Sequence, residues 1–345
     1  MRVRRRLLPC AALLLLGLPA GAWAWAGAQH IQINRLAGRN VPDEMGAFRA
    51  FSRPMVLPGI YPDLWKGSDF EEDSRHYFEP DRLPGGFDLF SIGSNRTTAF
   101  QAQIPVRSEE IGVAPWTIVG LLDEMTEAMR TNDWQWAARC GAAMGHYVAD
   151  LHMPLHCTRN YNGQETWQDG IHTRWESDMT KAFFRTEELS LEPAVYLENP
   201  FRSIMEWVAE SFALAPEILK ADAIAKRSAG GRIDTEVYYL KLWELTGGIA
   251  VARVGDAVSD LSSLWYTAWI DAGKPAIPEP FDELPPFSVF SGVGIDAPEI
   301  QGPHPPSRQK RTYDLVIWSV MLAFGAVVIG SSIHRSIQIR RTRGK

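Results

Sequence analysis

The sequence predicts an all-α protein. Apolar residues recur at helical spacing over Trp116–Met129, Trp134–His152, Phe201–Ala221 and Thr235–Ala272. No stretch alternates as a half-buried strand would, and there is no internal repeat, G-x-G-x-x-G or Walker motif. With 46% hydrophobic and 22% charged residues, the chain can build one large core or two small ones.

Both ends stand apart from this globule. Basic residues 2–6, the apolar run Leu7–Ala20 and the small-x-small site Ala22-Trp23-Ala24 read as a signal peptide over residues 1–24. Near the other end, Leu315–Ile333 is a charge-free stretch of about nineteen residues, long enough to cross a bilayer. A transmembrane helix is expected over 313–334, with a basic cytoplasmic tail over 335–345 carrying Arg335, Arg340, Arg341, Arg343 and Lys345. The Pro-dense stretch 274–312 reads as the linker to that anchor. The protein is therefore expected to be exported and membrane-anchored, with residues 25–273 as the outward-facing domain. Between the two ends lie 23 basic and 40 acidic residues, a net charge of about −17. Such a surface is a poor general polyanion binder, so affinity for phosphate would need a local positive centre such as a bound metal.

Along the chain, Asn40–Pro62 reads as a mixed helical stretch, and a Gly/Pro/Ser-rich loop runs from Asp81 to about Arg107. The Ala- and Gly-rich segment Trp134–His152 suits close packing in the core. Pro154 breaks the chain after it and places His156 on a turn. The segment from Met179 to about Glu188 again reads as helix. Two cysteines remain after processing, Cys140 and Cys157. Continuous helix from Cys140 to His152 separates them by roughly 18 Å, beyond disulfide reach, so both are expected to be free thiols.

The chemistry lies in the histidines. His146 is followed four residues later by Asp150, and His172 by Glu176, so on helices each pair shares one face. One such pair alone is an ordinary surface contact. Two pairs with His156 between them, and with His30 and His76 upstream, point to metal instead. No histidine falls between His172 and His304, a clustering that scattered core histidines would not give. Imidazole and carboxylate donors without a thiolate set suit zinc bound for catalysis, and the acids near these histidines are Asp63, Asp150 and Glu176.

These residues resemble the superfamily of zinc-dependent phospholipases C and single-strand-specific zinc nucleases, from Trp25 to about Gly273. The resemblance implies an all-α enzyme holding three zinc ions. It places Trp25 at the mature N-terminus, its amino group and carbonyl binding one zinc together with His30 and Asp150. Asp63, His76, His146 and Asp150 would hold the second, with Asp150 bridging, and His156, His172 and Glu176 the third. Two zincs would lower the pKa of a shared water, Asp63 would orient it or act as base, and the third zinc would stabilise phosphoryl charge. His152 has no ligand role in this scheme. Gly59-Ile60-Tyr61-Pro62-Asp63, His76-Tyr77-Phe78-Glu79-Pro80-Asp81, the short His156–His172 gap and Glu176 lean toward the phospholipase C branch. The Trp25–His30 spacing and Asp150-Leu151-His152-Met153-Pro154-Leu155-His156 lean toward the nuclease branch. A C-terminal anchor belongs to neither pattern.

The expected activity is phospholipase C-like cleavage of a phospholipid head-group phosphoester, with a single-strand nuclease or nucleotidase as the alternative. A non-catalytic zinc-stabilised membrane scaffold is the rival from another class. Tyr61 and Phe78 flank ligands and are candidates to touch substrate. Arg174 could contact a phosphate or pair with a nearby acid. If Trp25 must present a free amino group, a chain with extra residues before it will be zinc-deficient and weakly active. Metal content and turnover equal to those of the chain beginning at Trp25 would refute that role.

Overall fold

Five long helices form the frame of the protein, whose computed structural model describes residues 27–66, 71–284 and 287–290. They are α1 (Ala28–Asn40), α2 (Ala114–Arg130), α3 (Trp134–His152), α4 (Pro200–Ser228) and α5 (Glu236–Asp271). Short α and 3-10 turns fill the sequence between them, with no β-strand among the described residues. The all-α expectation therefore holds. The expected signal peptide, Trp25, the membrane helix, the basic tail and the distal linker lie outside the described residues. No helix among the described residues is long and apolar enough to cross a membrane.

The packing is organised around α3. Asp133 starts it by accepting the Trp136 N–H at 3.0 Å, and Pro154 stops it. All residues from Cys140 to His152 are buried, so the helix is enclosed on every side. Its small residues let neighbours come close. A Cβ at Gly145 would stand 1.8 Å from Asn34 Oδ1, and one at Gly141 2.6 Å from Met55 Cε. Asn34 of α1 fills that space, and its Nδ2 donates to the Met55 and Ala142 carbonyls, both at 3.1 Å. On the other side, Trp265 of α5 donates to the Gly141 carbonyl at 3.2 Å. The outcome brings His30 of α1 into ring stacking with His146 of α3, with centroids 3.8 Å apart.

Helices α4 and α5 are capped by Asn199 and Thr235, which accept the N–H groups of Arg202 and Tyr238. Between Glu176 and α4 the structure departs from the expected helix. Arg174–Met179 forms a wider π turn, Thr180–Phe183 a single α turn and Thr186–Glu188 a 3-10 turn. The chain then runs extended along α5. There the N–H groups of Glu192, Val195 and Leu197 donate to Ser259, Ser263 and Thr267 at 3.0, 3.1 and 2.9 Å. This row of hydroxyls, four residues apart on one helix face, satisfies the backbone that helix would otherwise have satisfied internally.

The expected linker also begins later than residue 274. Trp269 Nε1 donates to the Pro275 carbonyl at 2.9 Å, Phe281 packs edge-on against Phe51, and Leu284 and Val289 are buried. Trp65 Nε1 donates to the Phe287 carbonyl at 3.0 Å, and the Phe287 ring lies 5.2 Å from that of Tyr61. The domain thus extends at least to Phe290, because aromatic residues spaced between the prolines find core partners.

Gly145→Ala measures the closeness of α1 and α3. Helix propensity alone would stabilise by about 0.5–1 kcal/mol, whereas overpacking against the doubly held Asn34 costs about 1–3 kcal/mol. The expected outcome is a lower thermal or urea midpoint; an unchanged or raised midpoint would overturn this packing account.

Candidate metal centre

Two long helices and several short turns bring the predicted ligands together. His30 comes from α1, Asp63 from the short helix Tyr61–Trp65, and His76 follows the single turn Glu72–Arg75. His146 and Asp150 lie one turn apart on α3, as the four-residue spacing requires. His156 sits on the 3-10 turn Pro154–Cys157, where Pro154 was expected to place it. His172 and Glu176 straddle the junction between a short α turn and the π turn, a deformation frequent at functional sites.

The side chains form three groups, in each of which one ligand atom per residue lies within 4.8 Å of the others. The first is His30, His146 and Asp150; the second Asp63, His76 and His146; the third His156, His172 and Glu176. Asp150 stands between the groups. Its Oδ1 lies 3.8 Å from His30 Nε2, and its Oδ2 lies 2.8 Å from His76 Nδ1 and 3.4 Å from His146 Nε2. In the third group, Glu176 approaches His172 Nε2 at 2.9 Å and His156 Nε2 at 3.8 Å. Trp25, expected beside His30, lies outside the described residues.

The far ring nitrogens are held. His146 Nδ1 donates to the Gly59 carbonyl at 2.8 Å, His156 Nδ1 to the His76 carbonyl at 2.6 Å, and His172 Nδ1 to the Tyr161 carbonyl at 3.3 Å. Each bond commits the opposite nitrogen, Nε2, to the centre, the arrangement that orients metal-ligating histidines. The phenol of Tyr161 is partly exposed, and its ring stands edge-on to His172.

Electrostatics agree with this geometry. Burial holds the imidazoles of His76, His146 and His156 well below the usual range, and the Lys66 ammonium and neighbouring imidazoles push in the same direction. They are thus neutral, the form that binds metal. Burial drives Asp150 far above the usual carboxylate range; Lys66 opposes this, while Asp63, Glu176 and Glu72 add to it. Three polar atoms, Asp63 Oδ2, Asp150 Oδ1 and His156 Nε2, are buried with no hydrogen-bond partner among the described residues. Unsatisfied acceptors of this kind are costly in a protein interior. Converging on neutral imidazole and carboxylate, they fit divalent metal ions, and these clusters could hold several.

Other expectations sort cleanly. His152 turns away from the centre, with Nδ1 on the Val148 carbonyl and Nε2 2.8 Å from Asp260, which is a packing role. Cys140 and Cys157 are free and buried, and burial raises both thiols above their usual range. Two of the three substrate candidates are corrected. Phe78 is fully buried against Trp116, out of reach of any substrate. Arg174 spends its donors on Asp222 (3.0 Å), Tyr238 (2.9 Å) and the carbonyls of Gln168 and Asp169, which realises the ion-pair alternative. Tyr61 remains half-buried beside Asp63.

Lys66 and Glu72 escaped the sequence reading. Lys66 Nζ lies 2.6 Å from Asp63 Oδ1 with its side chain one-third exposed. Burial lowers its affinity for the proton, but Asp63, Asp150 and Glu176 outweigh that and hold the ammonium above its usual range. The three-residue step from Asp63 could have found it. No protein-family model matches this chain, and no curated protein matches it significantly.

Chelation followed by zinc addition tests the centre directly. Chelated protein is expected to unfold at lower temperature and to recover on zinc addition, because binding to the folded state alone stabilises it by mass action. Asp150→Asn should lose that zinc response, because the amide cannot supply the carboxylate that stands between the groups. A zinc-independent midpoint in the unmutated protein would refute the metal reading.

Proposed function

We propose that the protein is a zinc-dependent phosphoester hydrolase of the phospholipase C type, holding three zinc ions. The observation that carries this reading is the convergence of three largely buried imidazole–carboxylate groups, two of them sharing His146. Trp25 would complete the group at His30, and Asp150 would bridge two ions. Bound there, zinc supplies a lowered pKa for attacking water and charge stabilisation for the phosphoryl oxygens.

The residues of the chain do the rest. Asp63 offers one oxygen to Lys66 and keeps Oδ2 for the water proton, the role of a positioned general base. Lys66, exposed on the outer side of that carboxylate, attracts a phosphate oxygen toward the centre. The far-nitrogen bonds of His146, His156 and His172 keep those ligands from rotating as substrate arrives. No protein nucleophile is required.

Two features favour a phospholipid. Leu64, beside Asp63, is 54% exposed and Tyr161, against His172, 46%, so the ligands have apolar neighbours facing solvent. The acidic body discourages a long polyanion. Export with a C-terminal membrane anchor would set the centre beside its substrate. A nuclease or nucleotidase is the second reading, favoured by the Asp150–His156 run.

The test pairs phosphatidylcholine vesicles with single-stranded RNA, using the zinc-loaded full chain and a chelator control. Chelator-sensitive release of phosphorylated head group is expected, with RNA intact. RNA cleavage alone would move the protein to the nuclease reading, and inactivity on both with zinc bound would favour the scaffold. Asp63→Asn should reduce turnover by about 10²–10⁴-fold; undiminished turnover in that variant would exclude Asp63 as base.

A further inference from the structure

Four of the candidate ligand histidines, His30, His146, His156 and His172, point Nε2 into the centre, but His76 is reversed. Its Nδ1 faces inward, 2.8 Å from Asp150 Oδ2 and 3.1 Å from His146 Nε2. Its Nε2 points outward, 3.2 Å from Glu72 Oε1. A neutral imidazole carries one proton, so whichever group accepts from Nε2 decides that Nδ1 keeps its lone pair. At His146, His156 and His172 a backbone carbonyl plays that part from the Nδ1 side. At His76 the acceptor is a side chain, and a fully buried one.

Glu72 is held for this task from two directions. The Tyr147 hydroxyl, on α3 next to His146, donates to the same Oε1 at 2.6 Å. Arg75 donates to Oε2 at 2.8 Å, which compensates the buried charge. The Phe290 ring covers the Arg75 guanidinium at 3.8 Å, so the C-terminal segment shields the pair from solvent. Neutralising Arg75 does not by itself explain the arrangement, because Glu71 also lies 3.5 Å from that guanidinium. Reaching His76 does.

We propose that Glu72 is a positioning residue of the metal centre, accepting the Nε2–H of His76 and so making Nδ1 the ligand atom. Tyr147 and Arg75 hold that carboxylate in place. The inference rests on the metal-binding reading above and is independent of the substrate.

Zinc affinity of the full chain, measured by competition with a chromophoric chelator, is the first readout. Glu72→Gln keeps size and an acceptor oxygen but loses the charge, and is expected to weaken zinc binding about 10–100-fold, as loss of such outer partners does. Tyr147→Phe, which removes only the second bond to Oε1, is expected to weaken it less. Zinc bound by Glu72→Gln as tightly as by the unmutated chain would overturn the proposal while leaving the metal reading standing. Failure of the unmutated chain to bind zinc would instead sink the metal reading itself. Should Glu72→Gln not fold, the unmutated chain still decides. Loaded with cadmium-113, it is expected to show metal coupling to Nδ1 of His76 and to Nε2 of His146, His156 and His172; coupling through His76 Nε2 would overturn the assignment.

Discussion

The structure depends on keeping the Asp150 carboxyl wholly out of water in the last turn of its most enclosed helix. An isolated ionised carboxylate in such surroundings is among the costliest groups a fold can bury. Here it is ringed by His30, His76 and His146 and lies within the field of Lys66. The packing serves that ring. Gly141 and Gly145 remove side chains so that Met55 and Asn34 can press close, and the closeness delivers His30 onto His146. The same α3 contributes Tyr147, which steadies the acid behind His76.

Much of this was legible in the sequence, for identifiable reasons. Helix α3 has a capping aspartate before it and a proline after it, so both ends were fixed locally. The ligand groups were legible because four-residue spacing places two donors on one helix face whatever surrounds them. What escaped depends on direction and distance. Phe78 and Arg174 are neighbours of ligands along the chain, yet their side chains point into packed interior rather than toward the centre. The extended run after Glu188 has no strand partner among the described residues; its hydroxyl acceptors lie some seventy residues away on α5, beyond any local pattern. Glu72 was missed for a different reason. It obeys the same four-residue spacing, but with the acid before the histidine rather than after it.

The π turn at Arg174–Met179 illustrates how the two halves of the fold meet at the centre. Arg174 anchors one side of it to Asp222 of α4 and Tyr238 of α5. Glu176 leaves the other side toward His156 and His172. Trp175, between them, donates to Thr246 of α5 at 2.9 Å. The widened turn thus lets consecutive residues serve the long-helix core and the ligand cluster at once.

The placement of Phe287 and Phe290 bears on the order in which the protein can be made. Both lie near the end of the described chain, yet they seat against Tyr61, Trp65 and Arg75, the neighbours of the candidate ligands Asp63 and His76. During synthesis the ligand-bearing segments emerge from the ribosome long before these rings do. A centre drawn from contacts so far apart in sequence closes slowly, because distant segments must meet before any of them is rewarded. Until residue 290 is available, the side of the centre built by Asp63 and His76 lacks its outer wall, so metal captured by a nascent chain would be held by an unfinished site.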